Sequence, residues 1–131
     1  MANGFFHLGI DVGSTTVKAV LIEGEGKQIV YSRYERHNAH QSDMVRAFLA
    51  EINARFPGRK FKLAICGSGG KTIAELLHVP YIQEVVANSL AVRRFYPQAQ
   101  VAIELGGQDA KIIFFHRDPL SGKLAASDMR M

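Results

Sequence analysis

The chain has no tryptophan, a single cysteine and four prolines in 131 residues, and no long uninterrupted apolar run. One thiol excludes an internal disulfide, and Cys66 alone cannot supply the several thiolates that an iron–sulfur cluster or a structural zinc site requires. The opening residues, MANGFFHLGID, lack a basic region followed by a hydrophobic core, and the apolar runs are only a few residues long. Neither an export signal nor a membrane span is expected, and the default location is cytoplasmic. Clustered positive charge is also scarce. The formal charge of +4 is spread along the chain, apart from FPGRKFK at 56–62 and the pair Arg93–Arg94. Both read as solvated faces, with no nucleic-acid partner expected.

What is present fits one ordinary folded domain: 47% hydrophobic and 21% charged residues in a length that can bury a core. FFHLGID at 5–11, TTVKAVLIE at 15–23 and QIVYSRYER at 28–36 read as three strands of an antiparallel meander. Ser42 is placed to cap a helix over 43–56, where Met44, Val45, Phe48, Leu49, Ile52 and Phe56 recur at helical spacing before Pro57-Gly58. KLAIC at 62–66 is a fourth strand leading through GSGGK into a short helix that ends near Leu77. VPYIQE reads as a brief fifth strand, and Glu84 to Phe95 as a helix stopped by Tyr96-Pro97. The order is β-β-β-α-β-α-β-α, an α/β layered domain.

From Val101 the pattern restarts. VAIEL is a strand, GGQD a turn, AKIIFFH a strand, and KLAASDMRM begins another after RDPLSG. No helix follows to cover this second meander, so the chain reads as a truncated piece of a longer protein.

The two meanders open on turns with one logic: Asp11-Val12-Gly13-Ser14-Thr15-Thr16, and Glu104-Leu105-Gly106-Gly107-Gln108-Asp109. In each, a carboxylate ends a strand and glycine lets the backbone come close to a ligand, while N–H groups and hydroxyls can point at one anion. Such turns suit phosphate. The carboxylates would instead hold Mg²⁺, largely through its waters, and Lys18 would neutralise phosphate charge from the adjoining strand. A lone DVGST is often only a polar β-turn; its repetition at the head of a second meander favours function.

Other motifs are weaker. CGSGGKT at 66–72 resembles a P-loop, but that motif needs glycine where Ile65 stands. The segment reads as a strand-to-helix turn shaped by Gly69 and Gly70. Cys66 reads as a small buried hydrophobe. His7, His37, His40, His78 and His116 lack metal-ligand spacing, and His37 and His40 read as a solvated loop pair.

LGIDVGSTTVKAVL and AIELGGQDAKII resemble the first and second phosphate motifs of the superfamily joining actin, sugar kinases and heat-shock chaperone ATPases. GGQDAK following GIDVGSTT is similar, more narrowly, to the ATPase activators of 2-hydroxyacyl-CoA dehydratases and the ATP-binding subunits of benzoyl-CoA reductase. The resemblance implies a ribonuclease-H-like (actin-like ATPase) fold with ATP clamped between two lobes. Residues 1–98 would form the first lobe and 99–131 the incomplete start of the second. It carries Asp11, Gly13, Ser14, Thr15 and Lys18 to the first phosphate turn, and Gly106, Gly107, Gln108 and Asp109 to the second; Thr16 and Glu104, in the same turns, are further candidates for binding the nucleotide. Asp11, Gln108 and Asp109 would be the catalytic set, with Asp11 and Asp109 on Mg²⁺. Full-length relatives form homodimers sharing one [4Fe-4S] cluster, and ATP hydrolysis drives an electron from it to a dehydratase or reductase partner.

Two departures qualify the resemblance. The family more often has Asp where Glu104 stands, and its cysteine-bearing CAAGTG-like segment would follow the last strand, where this chain stops at Met131. The whole protein is therefore expected to be an ATPase, with the chain itself inactive in the full cycle. Two alternatives belong to other classes: a small-molecule kinase of the same superfamily, with an Asp as base near the γ-phosphate, and a non-catalytic nucleotide-gated regulatory domain.

Overall fold

The computed structural model describes residues 5–24, 28–106 and 109–130. The elements are β1 (Phe6–Val12), β2 (Thr16–Glu23), β3 (Gln28–Arg36), α1 (Gln41–Arg55), β4 (Phe61–Cys66), α2 (Lys71–Leu77), α3 (Glu84–Phe95), β5 (Val101–Leu105), β6 (Ala110–Arg117) and β7 (Leu124–Arg130). The chain divides into two compact units, one ending at Ile82 and the other beginning at Gln83.

In the first unit the strand order is β3-β2-β1-β4, with β1 antiparallel to β2 and parallel to β4. A parallel neighbour needs a crossover, and α1 is part of it. Alternation sorts the residues: Phe6, Leu8, Ile10 and Val12 of β1 and Val17, Ala19 and Leu21 of β2 are buried, while Asp11 and Lys18 share the opposite face as cross-strand partners. Val45, Phe48 and Ile52 of α1 and Ile73 and Ala74 of α2 complete the same core, with Met44, Leu49 and Phe56 packed at its margin. This is the apolar face expected for the first helix. Its start differs, since the helix begins at Gln41 and His40 occupies the N-cap position without a side-chain cap bond, leaving Ser42 inside the first turn. The expected fifth strand is reduced to one parallel bridge, Ile65 with Tyr81; Pro80 lacks the N–H a longer ladder would use.

In the second unit β5, β6 and β7 form the expected antiparallel meander. Its cover comes from the element before it: Val85 and Val92 of α3 pack with Ala102 against Ile113 and Phe115. The sequence suggests a sheet with no covering helix, because no helix follows the meander; the cover precedes it in the chain. Val101, Ile103 and Leu105 lie on the other side of β5 and are 45%, 64% and 81% exposed.

Candidate functional site

β1 and β2 present the first turn. Asp11 Oδ2 accepts a hydrogen bond from Lys18 Nζ at 3.3 Å, and Lys18 Nζ also stands 5.4 Å from the Tyr34 ring centroid. The other carboxylate oxygen, Oδ1, is buried and has no hydrogen-bond partner among the described residues. An orphaned acceptor beside an exposed polar turn is what a hard cation or its water would satisfy. Gly13 N–H donates to the Thr16 carbonyl at 2.9 Å and closes the turn, leaving Ser14 and Thr15 exposed at its tip.

Two neighbours brace this turn, and the sequence pointed to neither. One is the GSGGK loop after β4. Gly69 N–H donates to the Val12 carbonyl at 2.9 Å, and the Tyr81 hydroxyl donates to the Gly67 carbonyl at 2.9 Å. Gly67 sits at φ +97°, and a Cβ there would fall 2.3 Å from Val12 O and 2.5 Å from Asp11 Oδ1. Gly67 is thus the glycine that lets the loop lie against Asp11, although the sequence singled out Gly69 and Gly70. Gly70 also has no room for a side chain, since its Cβ would meet Cys66 O at 2.6 Å.

The second neighbour is His37. It is buried, at 4% exposure, which corrects the expectation of a solvated pair; only His40 is exposed. Its Nε2 lies 2.9 Å from the Gly13 carbonyl, and its backbone N–H donates to the Thr15 carbonyl at 3.1 Å. Cys66 is half-buried rather than buried and is the cross-strand partner of Asp11.

The second turn repeats the closure of the first, with Gly106 N–H donating to the Asp109 carbonyl at 2.8 Å. Glu104 and Lys111 are cross-strand partners, as Asp11 and Lys18 are. Their side chains are engaged differently. Glu104 Oε2 accepts from Asn88 Nδ2 at 2.5 Å, and Lys111 Nζ donates to Glu84 Oε2 at 2.6 Å. That bond to Glu84 raises the Lys111 pKa, against the lowering effect of burial. Asp109 is exposed. Gly107 and Gln108 lie outside the described residues.

The described residues contain no group of three or more His, Cys, Asp or Glu that could hold a metal. Mg²⁺ needs only one or two carboxylates beside water and phosphate, and Asp11, whose Oδ1 has no hydrogen-bond partner among the described residues, is a carboxylate that suits it. One cysteine per chain is not a ligand set for an iron–sulfur cluster.

No family model matches the chain. It is 32% identical over 106 residues to an uncharacterised protein of Methanocaldococcus jannaschii, covering 81% of this chain and 42% of that protein. It is 26% identical over 110 residues to the (R)-2-hydroxyglutaryl-CoA dehydratase activating ATPase of Acidaminococcus fermentans, covering 82% of this chain and 42% of the relative. The crystal structure of the A. fermentans dehydratase component A matches 97% of this chain and 47% of that one, with a TM-score of 0.76 at 23% identity. The chain has the actin-like ATPase fold. The Clostridium difficile 2-hydroxyisocaproyl-CoA dehydratase activator, solved with bound ADPNP, shares it, with a TM-score of 0.66 at 23% identity over 96% of this chain and 46% of that one. In sequence the chain is similar to dehydratase activating ATPases, as GIDVGSTT and GGQDAK suggested, and it spans less than half the length of the curated relatives it matches.

Proposed function

We propose that this chain is the nucleotide-binding portion of an ATPase that activates a 2-hydroxyacyl-CoA dehydratase or a related reductase. The observation that carries the proposal is the Asp11–Thr16 turn: a braced, glycine-bearing loop with exposed hydroxyls beside a carboxylate oxygen that nothing in the described residues satisfies. Two similarities support it, the sequence likeness to a dehydratase activating ATPase and the fold shared with an activator that holds ADPNP.

In this reading Ser14, Thr15 and Thr16 bind phosphate oxygens of ATP through N–H and hydroxyl donors, with Gly13 allowing the close approach. Asp11 holds Mg²⁺ or a water on it; the ion supplies neutralisation of phosphate charge. Lys18, paired with Asp11 in this structure, exchanges that carboxylate for a phosphate when nucleotide arrives. On the second turn Gly106 closes the backbone through its bond to Asp109, Gly107 would provide a backbone donor to phosphate, Glu104 orients the turn, and Gln108 or Asp109 positions the attacking water or the metal. Transfer of a low-potential electron from a [4Fe-4S] cluster, the shared homodimer that holds it and the dehydratase partner belong to the proposal for the whole protein. No step of that transfer is assigned to a residue of this chain.

Asp11→Ala separates function from folding. The lost Lys18 bond is partly exposed and the removed Oδ1 is unsatisfied, so unfolding free energy should change by less than about 1 kcal/mol. Mg²⁺-dependent nucleotide binding, followed by fluorescent-nucleotide displacement with and without EDTA, should disappear. Retention of Mg²⁺-dependent binding in this variant would remove Asp11 from the proposed site.

A further inference from the structure

Of the two neighbours that brace the turn, His37 lies in no motif. The backbone N–H of His37 donates to Thr15 O, and its ring Nε2 lies 2.9 Å from Gly13 O. The other ring nitrogen, Nδ1, accepts the Ala39 N–H at 3.0 Å. A nitrogen that accepts carries no proton, so the ring is the neutral tautomer with its hydrogen on Nε2, donated to the Gly13 carbonyl. The backbone is bent to arrange this: Asn38 and Ala39 take φ +48° and +65°, a left-handed region that residues with a side chain rarely adopt. His40 N–H closes the bend on His37 O at 2.7 Å.

In a planar trans peptide the C=O and the next N–H point in opposite directions. Fixing the Gly13 carbonyl on the imidazole therefore aims the Ser14 N–H away from it, at the exposed tip of the turn. Glycine at 13 gives that peptide the freedom to flip, and the flipped form would present an oxygen where an anion needs a donor. The bond from His37 favours one orientation. We infer that His37 is the positioning residue of this turn, a buried imidazole of fixed tautomer that sets the Gly13–Ser14 peptide for a phosphate oxygen. The inference rests on the phosphate reading given above.

The test is ¹⁵N-resolved NMR of the 131-residue chain as wild type, His37→Phe and His37→Gln, each titrated with Mg-ATP and melted to check folding. The wild-type imidazole should be neutral with its hydrogen on Nε2. His37→Phe should displace the Ser14 amide resonance and weaken Mg-ATP about tenfold, while His37→Gln, whose amide N–H can reach the same carbonyl, should restore both to within about threefold. Unchanged Ser14 resonance and affinity in His37→Phe overturn the inference, as does a wild-type ring protonated on Nδ1. If the wild type binds no Mg-ATP, the phosphate reading fails by itself. The role of His37 is then decided by the ring tautomer and by whether the Ser14 amide moves in Phe and returns in Gln. Should His37→Phe not fold, His37→Glu, with the length of Gln but no donor, takes its place against Gln.

Discussion

The Asp11–Thr16 turn depends on single residues from three segments of the chain: its own, the bend after β3 and the loop after β4. The turn from Asp11 to Thr16 was legible as a turn between two strands because strand, carboxylate, glycine and hydroxyls are adjacent in the chain; its binding of phosphate is the proposal. His37 and Gly67 act on the same turn from other segments, through contacts that no local pattern encodes. Gly67 offers a sharp test. Alanine there meets both a left-handed φ and a Cβ 2.3 Å from Val12 O, and neither can relax without moving β1. Gly67→Ala should cost about 2–4 kcal/mol in chemical denaturation and weaken nucleotide binding through Asp11. A variant as stable as wild type would mean that the GSGGK loop does not brace the turn.

Among the elements, strands and helices were readable wherever period and burial agree, as in α1, whose Val45, Phe48 and Ile52 occupy one buried stripe. The reading failed where position in the chain misled. α3 precedes the second meander and covers it, whereas the order of elements alone leaves the meander without a helix after it. Part of the tie between α3 and β6 is the bond from Lys111 to Glu84, with side chains 15% and 23% exposed. Lys111→Met leaves Glu84 without its partner and should cost about 1–3 kcal/mol. The sign of the pH effect follows from the raised Lys111 pKa: the contribution is complete below the ordinary lysine value and disappears as pH rises through the higher folded value. Wild type should lose part of its advantage over Lys111→Met in strongly alkaline melts, and an unchanged gap across that range would contradict this account.

For the molecule as a whole, the fold and its likeness to dehydratase activating ATPases were legible from two short motifs, because each motif places a carboxylate, a glycine turn and a strand in fixed order. The reach of that likeness is bounded by coverage of 42% of each curated relative, so activation of a partner enzyme is a property proposed for the whole protein. The claim that belongs to this chain is narrower: the Gly13–Thr16 turn takes phosphate with Mg²⁺. Amide-resolved NMR of the chain during a Mg-ATP titration measures it most directly. Binding should be weak, with a Kd of roughly millimolar order. The largest shifts should fall on Gly13, Ser14, Thr15, Thr16 and Lys18, and they should collapse when EDTA removes the metal. Shifts that avoid this turn, or that persist unchanged without Mg²⁺, would contradict the account.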